Sequence, residues 1–276
     1  MKAKKAFTLT ELLVVISILV LLMAILLPTL QRARNQARAV ACQAKLRQWG
    51  IIFQTEMAGN QGPTANHDLS KIFMEDHTND PNSGQIGAFL RRSLPASMDL
   101  CPMASRLSTE QFEAPEGFIW AYGSTFFAEW WRYLPSSQIW AWSYGINYTF
   151  VASDMPCPPG TYNWASLKGL PCASVPVTLD GMSRVCAVGS DKQPPPPYED
   201  WRNPSDASCY WQYECIDRHH GGVNYLFLDW SVRRVGLKEL WTLKWMKDFN
   251  TAGPWTKAGG VQPEDWPQWM RRFKDY

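Results

Sequence analysis

"KKAFTLTELLVVISILVLLMAILLPTL", residues Lys4 to Leu30, is the stretch on which the fold turns. Between Leu12 and Leu27 only Ser17 is polar. Extended back to Phe7, the run reaches roughly the 20 residues that a helix needs to cross a bilayer core. Glu11 stands at its mouth, and a lone carboxylate in lipid is costly enough to demand a partner. Lys2, Lys4 and Lys5 precede the run, while Arg32, Arg34, Arg38, Lys45 and Arg47 follow it, so charge alone leaves its orientation open.

A secretory leader would end its apolar core at a small-residue cleavage site. Here Pro28 is followed by "TLQRARNQARAVACQAKLRQWGIIFQTEM", Thr29 to Met57, which has no glycine until Gly50. Ala39, Cys42, Leu46, Trp49 and Phe53 recur at helical spacing and form one apolar stripe. The pattern predicts one helix over Phe7–Met57, with a bend at Pro28. At ~1.5 Å per residue it would run roughly 75 Å, far more than a bilayer is thick. Its first half, 7–27, fits lipid; its second half needs a body to pack on.

"KKAFTLTELLVVISILVLLMAILLP" resembles the N-terminal cleavage and methylation segment of type IV prepilins and type II secretion pseudopilins. Ala6–Phe7 matches the family's cleavage site, with Ala6 where glycine is usual. Glu11 matches the glutamate that follows the phenylalanine. The resemblance implies that a prepilin peptidase removes residues 1–6 and methylates the new amine of Phe7. It further implies that Glu11 meets such an amine on a neighbouring pilin-like subunit. It places the chain in the inner membrane as a single-pass protein, N-terminus cytoplasmic and head periplasmic or extracellular.

From Gly59 the pattern changes. "AGNQGPTANHDLS" is rich in turn residues and predicts a boundary, so 58–276 reads as a globular head. The chain of 276 residues carries 15 tryptophans and 20 prolines, which predicts long irregular stretches. A short helix is expected around Gly87–Ser93. Trp142–Val151 and Ser174–Gly181 read as strands. "DKQPPPPYEDWRNPSD", Asp191 to Asp206, must be loop, since consecutive prolines exclude helix and central strand. In "RHHGGVNYLFLDWSVRRVGLKELWTLKWMKDF" both alternating faces of 223–228 are largely apolar, which predicts a central strand covered on both sides. A hairpin then leads into Val232–Val235. Leu237, Leu240, Trp241, Met246 and Phe249 suggest an amphipathic helix, and Trp266, Trp269, Met270 and Phe273 a short final one. The expected fold is α+β and pilin-like: a long helix on a small antiparallel sheet with irregular Pro- and Trp-rich loops.

The same stretch resembles a C-terminal module of some prepilin-like proteins, a histidine followed after nine residues by Asp-Gly. His219 and Asp229 match, and Trp230 replaces the glycine. "LCPMA", "SYGIN" and "VPVTLDG" look like further pieces of that module. The missing glycine predicts a different turn type or mild strain at Asp229–Trp230.

His219 and Asp229 cannot share a site if 222–228 is a strand, because they would lie on the order of 25–30 Å apart. They read as structural, His219 anchoring the strand entry and Asp229 shaping the turn. The alternative is a site in which Asp217, His219 or His220 meets a distant group such as Asp180 or Asp191. Seven cysteines show no CxxC or other paired zinc-ligand spacing. Cys157–Cys172 and Cys209–Cys215 are the pairs closest in sequence, and the odd count points to Cys42 as a thiol left free or paired between chains. No nucleophile elbow, HExxH or phosphate-binding glycine loop appears. We therefore expect no catalytic residue, metal or cofactor. A net charge of +2 gives no field for nucleic acid. The tryptophans fill a loop-rich body or, alternatively, form an aromatic surface for polysaccharide, secreted cargo or partner subunits. The leading expectation is a filament subunit; the alternative is a surface-displayed binding protein that uses the same segment as an anchor.

Overall fold

The computed structural model describes residues 8–59, 100–104, 106–107, 112–113, 118–121, 127–133, 139–147, 171–182, 185–186, 190–199, 211, 213–246 and 248–276. Ala6 and Phe7, the turn-rich segment after Gly59, the helix expected at Gly87–Ser93, and Cys157, Trp201 and Cys209 lie outside them.

Helix α1 spans Leu9–Gly59, 51 residues, and continues through Pro28. Its start is fixed by a capping box. The backbone N–H and the hydroxyl of Thr8 both donate to Glu11 Oε2, at 2.8 and 2.7 Å, and the Glu11 N–H donates back to Thr8 Oγ1. Pro28 brings no N–H to the ladder, and the hydroxyl of the next residue, Thr29, donates to Leu26 O at 2.9 Å. From Leu9 to Leu30 the large apolar side chains are exposed, Leu9 by 80% and Leu27 by 65%. In the second half the predicted stripe is covered: Cys42, Leu46, Trp49 and Phe53 are buried.

The described strands of the head form two sheets. The first joins β1 (Arg106–Leu107), β2 (Phe112–Glu113), β3 (Phe118–Ala121), β4 (Phe127–Tyr133) and β5 (Ile139–Trp142). Its backbone pairing is antiparallel apart from β1, which runs parallel to β4, and its register aligns Trp120, Trp131 and Trp140 in one row. The second contains β6 (Tyr144–Asn147), β7 (Pro176–Asp180), β8 (Val185–Cys186), β9 (Gly222–Phe227) and β10 (Val232–Gly236). Its order is β10-β9-β7-β6-β8, four antiparallel strands with β8 parallel at one edge. This is the α+β arrangement of a long helix on a small, mainly antiparallel sheet. The strand expected over Trp142–Val151 is found in part, as β6, and corrected at its start: Ser143 divides β5 from β6, and the two belong to different sheets, while 148–151 lie outside the described residues.

All six residues of β9 are buried, as its doubly apolar pattern predicts. Leu226 and Leu228 pack with the α1 stripe, Tyr144, Val175 and Val177. Val223, Tyr225 and Phe227 face a second core built from Trp211, Trp241, Trp245, Trp266 and Phe249. The sheet is thus the middle of three layers. Tryptophans fill the third: Trp211 lies 4.3 Å from Trp241 between ring centroids and edge-on to Trp245 at 5.6 Å. Indole N–H groups also hold the proline run. Trp241 donates to Gln193 O at 3.1 Å, Trp255 to Lys192 O at 3.2 Å and Trp269 to Pro196 O at 3.0 Å.

The two C-terminal α-helices expected from aromatic spacing are absent among the described residues. Leu237–Thr242 forms a 3-10 helix and stops, because the sheet end captures the next backbone groups. Lys244 N donates to Ser174 O at 2.9 Å, and Asn147 Nδ2 donates to Trp245 O at 3.1 Å. Farther on, Gly253, Pro254, Gly259, Gly260, Pro263 and Pro267 break the chain into turns, leaving only the 3-10 turn Pro263–Asp265.

Candidate functional site

Where α1 crosses the sheet, four segments bring polar side chains into one buried cluster. Cys42 comes from α1, Cys101 from the turn at 100–104, Asp180 from the end of β7, and Arg218 and His219 from the segment entering β9. Cys42, Cys101, Asp180 and Arg218 have no exposed surface, and His219 has 4%.

Local structure aims each of them inward. A bulge in β7 between Pro176 and Thr178 shifts the pairing with β9 by one residue. Side-chain parity therefore flips, so Leu179 joins the tryptophan core while Asp180 faces α1. Lys45 Nζ donates to Leu100 O at 2.8 Å and ties the 100–104 turn to the helix, and Ala104 N bonds to Cys101 O at 2.9 Å within it. His219 N donates to Gly222 O at 3.0 Å across a bend that needs positive φ at His220 (54°) and Gly221 (89°). Asp217 Oδ1 accepts the Gly221 N–H inside the same bend.

Arg218 donates to Asp180 Oδ1 and, at 2.9 Å each, to the carbonyls of Ser143 and Gly181. His219 Nε2 lies 2.6 Å from Asp180 Oδ2. Cys42 Sγ is 3.5 Å from that oxygen, and Cys101 Sγ is 3.5 Å from His219 Nε2. Nδ1 of His219 has no partner among the described residues.

Burial pushes the Asp180 carboxyl up, but the charges of Arg218 and His219 more than offset this and hold it below the usual range. Burial pulls His219 down, while its hydrogen bond to Asp180 and the carboxylate charge raise it to about 9. Burial drives Cys42 well above an ordinary thiol. For Cys101 burial acts in the same direction, yet contacts with Cys42 and His219 and the Arg218 charge bring it down to about 7.

Of the residues singled out in the sequence, the structure brings His219 and Asp180 together. Asp229 sits at the far end of β9. Its Oδ1 accepts from Ser231 N at 3.0 Å and from the Ser231 hydroxyl at 2.6 Å. Trp230, in the glycine position, has φ 64°, the left-handed conformation that glycine would adopt without strain. His220 is exposed and bonds Asn35 of α1 at 2.9 Å, and Asp217 meets Arg272 at 3.0 Å. Cys42 is a free thiol, one of the two alternatives that the odd cysteine count left open; it is buried inside the head, so its pairing with another chain is the part that is corrected. Arg218 carries no signal of its own in the sequence, and Cys101 stands in the LCPMA piece of the module with no role that its local sequence assigns; tertiary folding creates the contacts of both. Thr8 was legible, since Thr8-x-x-Glu11 before an apolar run is a capping-box pattern.

Residues 1–27 match the family model for the prokaryotic N-terminal methylation motif. No curated protein and no solved structure matches the chain. The matched segment indicates a type IV pilin- or pseudopilin-like precursor and implies processing by a prepilin peptidase, and the apolar helix behind it is long and apolar enough to anchor the chain in a membrane.

Proposed function

We propose that this chain is a pseudopilin or minor pilin-like subunit that assembles through α1 into a secretion-type or pilus-type filament. The observation that carries the reading is the division of α1. Its first half is apolar and bare, while its second half is bound to the head. In the precursor the bare half lies in the inner membrane, with the head on the far side from the cytoplasm. In the filament, helices of other subunits replace lipid around it. Glu11 has one carboxylate oxygen engaged by Thr8. Its other oxygen takes the methylated Phe7 amine of a neighbouring subunit, which neutralises both charges in an apolar surround.

The role is structural rather than catalytic. The cluster at Asp180 and His219 is buried, with only 4% of His219 exposed, which leaves little surface at which a substrate could react. A surface-displayed binding protein with the same anchor would need aromatic side chains on an open face; among the described residues, Trp49, Trp211, Trp241, Trp245 and Trp266 are buried.

Mass spectrometry of the mature N-terminus should find N-methyl-phenylalanine at Phe7; an intact Met1 would count against processing. Glu11→Ala should insert into membrane normally and fail to enter filaments in a shearing assay. Normal assembly of that variant would sink the ion-pair mechanism.

A further inference from the structure

Cys42 Sγ, Cys101 Sγ, Asp180 Oδ2 and His219 Nε2 all lie within 4.8 Å of one another. Around a tetrahedral cation with bonds of ~2.0–2.3 Å, a sulfur and a nitrogen or oxygen ligand stand about 3.5 Å apart. Two such edges are already in place, Cys42 to Asp180 and Cys101 to His219, at 3.5 Å each. The His219–Asp180 edge, at 2.6 Å, needs to open by only about 0.7 Å to reach the tetrahedral value.

Charge fits as well. Two thiolates and a carboxylate sum to three negative charges; a divalent cation and the Arg218 guanidinium supply three positive ones. The result is neutral, which is what a fully buried site requires. Arg218 engages Asp180 through Oδ1 and leaves Oδ2 turned to the sulfurs, so the hydrogen bond on one oxygen orients the other as a ligand. The donor set selects the metal: thiolates with imidazole favour zinc over magnesium or calcium. Four protein ligands with no open position make a structural site rather than a catalytic one. The two cysteines could instead close a disulfide. A disulfide, however, has no use for a carboxylate oxygen and an imidazole nitrogen aimed at the same point.

We propose that Cys42, Cys101, Asp180 and His219 form a structural zinc site that ties the anchor helix to the head. Binding releases the two thiol protons and clears Nε2 of its proton, with Nδ1 retaining one. The carboxylate is already ionised beside Arg218. That Nδ1 proton meets no acceptor among the described residues, which is the visible cost of the arrangement.

The full chain, purified in detergent without chelator, should carry about one zinc by elemental analysis, and its Cys42 and Cys101 thiols should resist alkylation until the metal is removed. Cys101→Ser and His219→Ala should lower the zinc content at least about tenfold, while Cys172→Ser, outside the cluster, should keep it. Should those variants misfold, cobalt added to chelator-treated wild-type chain gives a second reading. A thiolate-to-cobalt charge-transfer band with intense tetrahedral d–d bands supports the site. Two readily alkylated thiols and no such spectrum overturn the proposal. A Cys42–Cys101 disulfide in unreduced peptide maps overturns it too.

Discussion

Arg218 shows how much one buried side chain can carry here. It has no exposed surface, and it meets Asp180 together with two backbone carbonyls. Removing one partner of such a pair strands the other charge in low dielectric, which costs about 3–5 kcal/mol. Arg233 also pairs with a carboxylate, Glu239, but its side chain is 39% exposed. Screening by water limits that pair to about 1 kcal/mol or less. Arg218→Met should therefore lower the unfolding free energy of chelator-treated protein by about 3–5 kcal/mol, and Arg233→Met by about 1 kcal/mol or less. Denaturant titration of both variants checks the order; equal losses would mean that Asp180 finds another counter-charge.

At the scale of elements, the contact between α1 and the sheet depends on close approach. A Cβ built on Gly50 would sit 3.0 Å from Leu226 Cδ1. Alanine at this position gains about 1 kcal/mol of helix propensity, which offsets a contact that a leucine methyl can yield to. A leucine cannot fit without moving the helix, so Gly50→Leu should cost about 1–3 kcal/mol, visible as a lower melting temperature. An unchanged melt would show that the helix rides higher on the sheet.

The same scale explains what the sequence discloses. Apolar periodicity discloses α1, its stripe and β9, because each buries a continuous face that leaves a regular pattern. The C-terminal aromatics keep helical spacing while glycines and prolines decide the backbone, so spacing alone misleads there. The cluster at Asp180 is less legible still. It needs the β7 bulge to turn Asp180 toward Cys42, and Cys42 and Asp180 stand 138 residues apart in the chain. No spacing rule reaches across that distance. The resemblance to the His-x9-Asp module points to His219 and, through its LCPMA and VPVTLDG pieces, to the stretches that hold Cys101 and Asp180, while Cys42 and Arg218 join them only with the fold.

For the whole molecule, the two cores share no residue with the first part of α1. Every buried apolar side chain from the helix lies at Cys42 or beyond. Deleting residues 1–28 should therefore yield a water-soluble head whose melting temperature stays within a few degrees of the full chain in detergent. A collapse of the melt would mean that the apolar half also supports the head.

The packed indoles of the third layer have an optical consequence. Trp211 and Trp241 lie 4.3 Å apart between centroids, with Trp245, Trp255 and Trp266 next in line. Transition dipoles this close couple, so the head should show an exciton couplet in circular dichroism. That couplet depends on ring geometry and disappears when the layer loosens, even if α1 stays helical. Each molecule thus carries a built-in probe of its own head, readable without label while the anchor remains in lipid.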